Sequence, residues 1–388
     1  MKKRLLALLS VGAIWTQFLV PVQAANTPQS SQAEMPVEVP AKSAILVEQS
    51  TGQVLCEMNA DEQMPPASIT KVMTLLLVME AVESGRLSLE DTVTCSPHAS
   101  SMGGSQIWLE VGEQMTVQDL IKATAVASAN DASVALAEKV AGSEDAFVAM
   151  MNERAEQLGM TGTHFVNCTG LDAPGHLTTA RDIATMSRVL IQHPMIREYS
   201  SIWMDSLRGG ETQLVNTNKL VRFYDGATGL KTGTTDGAGS CLAATATRNG
   251  LSLVAVSLGS ATSDERFQSA RTMLDYGFAN YGMATPPPLD DQLTPVKVTG
   301  GSEETVEAVG MPPEGFVVKK GDEAKLEQIL ELAPQVEAPV EKGQTIGTVV
   351  VKLEGKEIGR YPIEAASDVP EMTFTLAFSR LIKGLGSF

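Results

Sequence analysis

Near both ends of the central part of the chain, hydrophobic and polar positions follow a pattern that predicts short β-strands. Residues 43–58 form two β-prone segments separated by Ser50-Thr51-Gly52, a turn sequence that favours a hairpin. Residues 229–260 form three more such segments, separated by Asp236-Gly237 and Asn249-Gly250, which are dipeptides favoured in turns between antiparallel neighbours. The pattern therefore predicts a hairpin at the start and a three-stranded meander near the end of one domain.

Between and after these strands, apolar residues recur with the 3.6-residue period of helices. The predicted helices cover residues 68–84, 117–140, 144–158, 179–193 and 264–281. The last of them places five apolar residues on one face: Phe267, Ala270, Met273, Leu274 and Phe278. This order predicts an α+β domain over residues 41–285, with one antiparallel sheet built from both ends, flanking helices and a helical insert.

Composition changes at Pro286-Pro287-Pro288, a stiff segment that indicates a domain boundary. Residues 286–371 contain short apolar runs separated by glycine turns, and we expect a small β-rich domain that serves as a spacer or interaction module. Residues 372–388 predict an amphipathic helix that lies on a membrane surface, or else a terminal helix packed on its own domain. Its apolar face comprises Phe374, Phe378, Leu381, Ile382, Leu385 and Phe388, with Arg380 and Lys383 off that face.

The first 24 residues resemble an export signal. Lys2, Lys3 and Arg4 precede an apolar run, and Val22 and Ala24 fit a cleavage site before Ala25. We expect residues 1–24 to be a signal peptide, the alternative being an uncleaved anchor, and residues 25–40 to be a disordered leader. The mature protein is expected to be exported and mostly soluble.

Charge and cysteine content exclude several classes of protein. The 388 residues include 29 Lys+Arg against 46 Asp+Glu, a net charge of −17 that argues against nucleic-acid binding. The four cysteines form no C-x-x-C pair, and the four histidines show no H-E-x-x-H spacing, so we predict neither a metal nor a cofactor. Cys56, Cys95, Cys168 and Cys241 allow three disulfide pairings; the alternative is that each is a small buried apolar residue.

Three short motifs carry the candidate chemistry. Ser68 and Lys71 are spaced i,i+3 at the start of a predicted helix, which places hydroxyl and amine on one face. Ser128-Ala129-Asn130 follows 57 residues after Lys71, at a break between two helical stretches. Lys231-Thr232-Gly233 lies on the strand that opens the meander. Each motif is common alone, but the ordered combination is much more specific.

The combination resembles the penicillin-recognising serine enzymes, whose motifs are S-x-x-K, S-D-N and K-T-G. Within them the chain is most similar to the low-molecular-mass penicillin-binding proteins that act as D-alanyl-D-alanine carboxypeptidases. The likeness covers nearly the whole mature chain and rests on stretches such as PPASITKVMT, VASANDAS, FVNCTGLD, HLTTARDIA and GLKTGTTDGAGSCLAATATRNG. It implies a penicillin-binding, serine β-lactamase-like domain. One departure is Ala129 at the middle of the second motif, a position that is not catalytic.

The resemblance also implies roles for individual residues. Ser68 would be the nucleophile, and Lys71 the base, with a pKa lowered by burial and by the nearby charge of Lys231. Ser128 would relay the proton to the leaving amine, and Asn130 would hold Lys71 and the substrate amide. Backbone N–H groups of Ser68 and Thr234 would form the oxyanion hole. The predicted substrate-binding residues are Lys231, Thr232, Gly233, Thr234 and Arg248, with Lys231, Thr232 and Arg248 holding the terminal carboxylate.

The expected activity is removal of the terminal D-alanine from peptidoglycan stem peptides, inhibited by β-lactams, at the outer face of the cytoplasmic membrane. An endopeptidase that cuts peptide cross-links would use the same acyl-enzyme. A class A β-lactamase would need a glutamate four residues before an asparagine, but Thr163 precedes Asn167 here. A third alternative is a catalytically silent wall-binding protein.

Overall fold

A computed structural model describes residues 34–289, 292–310 and 315–385. The predicted signal peptide lies outside the described residues. Residues 34–40 have almost no regular secondary structure, yet Val39 is buried and Met35 and Val37 pack against the domain core. Residues 34–40 of the predicted disordered leader are therefore placed on the domain, because their apolar side chains pack against its core.

The first domain contains both short and long helices, and one more helix ends the described chain. In order they are α1 Lys71–Glu83, α2 Pro97–Ser100, α3 Val117–Lys122, α4 Asn130–Ala141, α5 Glu144–Gln157, α6 Ala180–Gln192, α7 Pro194–Ser200, α8 Leu220–Phe223, α9 Ser263–Asn280 and α10 Phe374–Leu385.

Eighteen strands are assigned within the described residues. In order they are β1 Ser43–Glu48, β2 Val54–Met58, β3 Thr92–Thr94, β4 Gln114–Thr116, β5 Met204–Leu207, β6 Thr212–Val215, β7 Ala227–Thr235, β8 Gly239–Arg248, β9 Leu251–Ser260, β10 Tyr281–Ala284, β11 Val296–Thr299, β12 Thr305–Val306, β13 Ala308–Gly310, β14 Phe316–Lys319, β15 Leu326–Leu332, β16 Gln335–Glu337, β17 Thr345–Leu353 and β18 Lys356–Ala365.

The central sheet has the order β2-β1-β9-β8-β7, all antiparallel. The pairing of β1 with β9 confirms that one sheet is built from both ends of the domain. Strand β7 is the edge of this sheet, and the K-T-G motif lies on it. Helix α9 covers one face, while α1 and α6 belong to the larger apolar core on the other. Both faces are therefore buried, as in a penicillin-binding, β-lactamase-like fold.

The helical insert contains the break that the sequence predicts inside residues 117–140. Helix α3 ends at Lys122, a π-helical turn covers Ala123–Ala127, and α4 begins at Asn130. Ser128, between the two, has a left-handed backbone with φ of 63°. The second motif thus lies in the interruption itself.

The C-terminal β-rich domain contains a four-stranded sheet of order β13-β18-β17-β15 and a three-stranded sheet of order β12-β11-β16. Strand pairing also joins it to the first domain, because β10, directly after α9, pairs with β14 of the second domain. Val317 of β14 packs into the core beneath α9.

Helix α10 exposes Phe374 and Phe378, whose rings stack 6.1 Å apart. Among the described residues, no helix combines the length and apolar character needed to cross a bilayer. The four cysteines are all buried and unpaired, which agrees with their interpretation as small apolar residues.

Candidate active site

The turn that carries Ser68 is a 3₁₀ turn over Ala67–Thr70, which runs directly into α1. Ala67 adopts a positive φ of 48°, and the hydroxyl of Thr70 donates to the Ala67 carbonyl at 2.9 Å. Two glycines press on this turn. A Cβ at Gly170 would lie 1.9 Å from the Ala67 oxygen, and one at Gly233 would lie 3.0 Å from the Ser68 nitrogen. The nucleophile turn is therefore held between two positions that only glycine can fill.

Lys71 is fully buried behind Ser68. Its Nζ lies 3.0 Å from Ser68 Oγ, 2.5 Å from Asn130 Oδ1 and 2.6 Å from the carbonyl oxygen of Thr169. Burial lowers the pKa of Lys71 to about 7, although Cys168 and Asp131 oppose that shift. A substantial fraction of Lys71 is thus neutral near neutral pH and able to accept a proton.

The second motif meets the first through Asn130. Its Oδ1 accepts from Lys71, its Nδ2 donates to the Gly103 carbonyl at 2.6 Å, and its backbone N–H donates to the Ser105 carbonyl at 2.7 Å. Ser128 is buried, and its Oγ has no hydrogen-bond partner in the structure. A buried hydroxyl without a partner is costly, and that of Ser128 remains available to a ligand.

The third motif lies on the edge strand β7. Lys231 is buried, and its burial, together with the charges of Lys71 and Arg266, holds its pKa well below the usual range. Burial is therefore the main cause of the lowered pKa at both lysines, and the charge of Lys71 adds to the shift only at Lys231, not the reverse as the sequence predicted. The Thr232 hydroxyl donates to Thr217 Oγ1 at 2.6 Å.

The structure does not bring Arg248 to this cleft. Lys231 pairs with Ala243 across β7 and β8, so Arg248 is five residues further along, or roughly 17 Å at about 3.3 Å per residue. Its guanidinium lies 4.4 Å from the ring centre of Tyr224 and donates to the Asp225 carbonyl. The prediction of Arg248 as a carboxylate ligand is therefore not supported by its position, which is that of a structural arginine.

Arg266 occupies the place that sequence reasoning gave to Arg248. It lies on α9 and donates from Nη1 to Thr234 Oγ1 at 2.7 Å and to the Gly233 carbonyl at 2.9 Å. Its Nε is buried without a partner. The contact of Arg266 with the end of β7 has no local sequence signal, although Arg266 is one of only three basic residues between the K-T-G motif and residue 285, with Arg248 and Arg271.

A loop over residues 167–172 forms the wall opposite β7 and was absent from the predicted site. Asn167 Oδ1 accepts from the N–H groups of Thr169 and Gly170, which presents the Thr169 carbonyl to Lys71. Asp172 then accepts from the Thr235 hydroxyl at 2.6 Å and from the Gly237 N–H at 3.0 Å. The carboxylate therefore joins this loop to the end of β7 across the cleft.

Behind the nucleophile turn lies the buried His176, another residue that sequence reasoning missed. Its Nδ1 accepts from the Val166 N–H at 2.8 Å, so the proton is on Nε2, which donates to Thr70 Oγ1 at 2.8 Å. Burial lowers its pKa to about 4. A neutral imidazole with a fixed tautomer thus supports the hydroxyl that holds Ala67.

The arrangement combines a nucleophile, a buried amine with a pKa near 7, a hydroxyl without a partner and an edge strand that carries a second buried lysine. These are the groups that an acyl transfer through a serine ester requires. Across the described ranges, no three His, Cys, Asp or Glu side chains converge as a metal site needs.

Comparisons with known proteins agree with this geometry. Residues 28–262 match the family model described as D-alanyl-D-alanine carboxypeptidase, and residues 281–371 match the C-terminal domain of penicillin-binding protein 5. The chain is 39% identical to D-alanyl-D-alanine carboxypeptidase DacF of Bacillus subtilis over 382 residues, covering 97% of each chain.

Two solved structures extend the comparison to the fold. Penicillin-binding protein 5 from Haemophilus influenzae superposes with a TM-score of 0.77 at 30% identity, covering 87% of this chain and 99% of that one. Penicillin-binding protein D2 from Listeria monocytogenes, solved with ampicillin bound, gives a TM-score of 0.58 at 33% identity, covering 63% of this chain and 100% of that one.

Proposed function

The chain belongs to the D-alanyl-D-alanine carboxypeptidase family. We propose that it is a serine peptidase whose residues act as follows. Homologous carboxypeptidases and penicillin-binding proteins support a hydrolase of this class and do not favour the endopeptidase or β-lactamase alternatives. The substrate is the D-Ala-D-Ala end of a peptidoglycan stem peptide, and the product is the shortened peptide plus D-alanine.

Ser68 is the nucleophile and Lys71 its base. A neutral amine has two N–H groups, which can donate to Asn130 Oδ1 and to the Thr169 carbonyl oxygen. Its lone pair is then left to accept from the Ser68 hydroxyl 3.0 Å away. As Ser68 Oγ attacks the penultimate D-alanine carbonyl, its proton passes to Lys71. This contact between a fully buried amine and the serine hydroxyl is the observation that carries the proposal.

Ser128 and Asn130 serve the leaving group. When the C–N bond breaks, the departing D-alanine needs a proton, and the unpartnered Ser128 hydroxyl can pass it on from Lys71. Asn130 keeps Lys71 in place with its Oδ1. Water then attacks the ester on Ser68, with the same groups taking and returning the proton.

Strand β7 and Arg266 bind the substrate. Strand β7 passes so close to the nucleophile turn that a Cβ added at Gly233 would lie 3.0 Å from the Ser68 nitrogen, and this closeness supports an oxyanion hole formed by the N–H groups of Ser68 and Thr234. Lys231 and Thr232, together with Arg266 rather than Arg248, bind the terminal carboxylate of the substrate. Substrate binding would also supply the negative charge that allows Lys231 to be protonated.

The test is release of D-alanine from diacetyl-Lys-D-Ala-D-Ala by the purified protein, measured with and without penicillin and with S68A as the control. Penicillin-sensitive release that is absent in S68A supports the proposal. Labelling of Ser68 by penicillin without any release of D-alanine would contradict the carboxypeptidase activity while keeping Ser68 as the acylated residue.

We further propose that the protein acts outside the cytoplasmic membrane and is held there by α10. The exposed rings of Phe374 and Phe378, which are 86% and 53% exposed, are typical of a face that enters the headgroup boundary. Co-sedimentation with phosphatidylglycerol vesicles is expected for the wild type and lost in F374S/F378S. Equal sedimentation of the two proteins would contradict this role for α10.

A further inference from the structure

Trp108 combines two costly features. Its backbone is left-handed, with φ of 54°, which is a genuine outlier for a bulky residue, and the residue is 74% exposed. Both features oppose stability, since a glycine would fit the backbone and a polar residue would suit the solvent. Strain of this kind persists only where the surrounding structure enforces it, and it is concentrated at functional sites.

Two sets of contacts enforce the position of Trp108. The fully buried carboxylate of Asp131 accepts from the N–H groups of Ile107 at 3.1 Å and Leu109 at 3.0 Å, one on each side of the tryptophan. Arg208 donates to the Ile107 carbonyl at 2.9 Å and pairs with Glu113 at 2.7 and 3.0 Å. The ring is thus presented by a rigid support.

The support is continuous with the active site. Asp131 follows Asn130 on α4, and the carbonyls of Gly103 and Ser105, which belong to the same loop as Trp108, accept from Asn130. Trp108 is three residues beyond Ser105, so its Cα lies within about 11 Å of that contact. Asn130 also contacts Lys71, which contacts Ser68, so the loop that carries Trp108 borders the cleft.

We propose that Trp108 is a carbohydrate subsite, a platform on which a pyranose ring of the peptidoglycan glycan stacks while the stem peptide occupies the cleft. The proposal rests on the function proposed above. Peptidoglycan offers two surfaces: a stem peptide of alanine methyls and charged groups, and a glycan whose N-acetylated pyranose rings have flat faces of C–H bonds. A rigid, exposed indole matches the flat face of a sugar in shape. The methyl and charged groups of the peptide offer the indole no flat apolar surface to stack on.

The kinetic test compares two substrates in W108A. The short peptide diacetyl-Lys-D-Ala-D-Ala should be hydrolysed with unchanged kcat/KM, while a disaccharide-pentapeptide should lose about three- to tenfold, the usual worth of one aromatic contact. V111A is the matched control, because Val111 lies on the same loop and is 62% exposed but has no flat face. It should leave both substrates unaffected.

Equal losses on both substrates, or no loss on the disaccharide-pentapeptide, would overturn the subsite. If the wild type hydrolyses neither substrate, it is the proposed function that has failed. W108G separates binding from folding: it should raise Tm, because glycine relieves the positive φ, and still lose selectivity for the glycan substrate. A lower Tm in W108G would contradict the strain on which the inference depends.

A binding measurement is available because the chain has only three tryptophans. In the full-length variant W15F/W203F, Trp108 is the only indole. Titration with the tetramer of β-1,4-linked N-acetylglucosamine should shift and saturate its fluorescence, and N-acetyl-Lys-D-Ala-D-Ala should not. An unchanged spectrum across the oligosaccharide titration would refute the stacking.

Discussion

The close approach of Gly170 to the nucleophile turn makes a quantitative prediction for G170A. The added Cβ would lie 1.9 Å from the Ala67 oxygen, 2.3 Å from its carbonyl carbon and 2.9 Å from the Ser68 nitrogen. Ordinary contacts between such atoms are about 3.5 Å, so the turn or the loop must move by about 1.5 Å. Because a shift of about 1 Å in a reacting group can cost 10²-fold, we expect acylation of Ser68 to slow by about that factor.

The control is G175A. Gly175 has almost the same backbone, with φ of 81° against 86° at Gly170, but no atom lies within 4 Å of the Cβ it would gain. Both variants lose about 1–2 kcal/mol of stability from the left-handed backbone. G170A loses about 1–3 kcal/mol more from the clash, and only G170A displaces the nucleophile. Acylation by a fluorescent penicillin measures the rate, and urea unfolding measures the stability. Equal acylation rates in the two variants would refute the reasoning.

Three further predictions follow from the charged groups. Because Lys71 must be neutral to act as a base and its pKa is about 7, kcat/KM for the peptide should rise with pH and reach half its maximum near pH 7; a flat profile from pH 6 to 8 would contradict this. His176 has a folded pKa of about 4 against 6.5 unfolded, so the unfolded chain binds the proton first. Stability should fall by up to about 3 kcal/mol between pH 6.5 and 4, as measured by urea unfolding, and H176Q should lose this part of the pH dependence. Finally, R266A should raise KM at least tenfold by removing a charged hydrogen bond to the carboxylate, while R248A should leave KM unchanged; the reverse order would restore Arg248 as the ligand.

Much of the fold could be predicted because its signals are local. The hairpin turn at Ser50-Thr51-Gly52 and the turns of the meander specify antiparallel neighbours, and the structure has β1–β2 and β7–β9 there. The predicted helix at 264–281 is α9, Ser263–Asn280. Strand β15, whose sequence LEQILEL mixes polar and apolar residues, and the short strand β10 directly after α9 were missed, since neither has a distinct local signal.

The site could be predicted in part for a related reason. Ser68, Lys71 and Asn130 belong to compact motifs, and the structure brings them together around one amine. Arg266 could not be found because its contact with Thr234 spans 32 residues and depends on how α9 packs on the sheet. Arg248 was expected near the cleft because β8 is adjacent to β7. Adjacency of two strands does not say how far along them a residue lies, and Arg248 lies five residues beyond the partner of Lys231.

The ladder between β10 and β14 has a consequence for how the molecule comes apart. Tyr281–Ala284 pairs with Phe316–Lys319 across the boundary, and Val317 fills part of the core under α9. The second domain therefore contributes a strand that pairs directly after the end of α9, the helix that also carries Arg266. We therefore expect the two halves to be thermodynamically coupled, so that melting of the C-terminal domain exposes the end of the catalytic core. We also expect a protease cut at the triple-proline linker to leave both pieces associated.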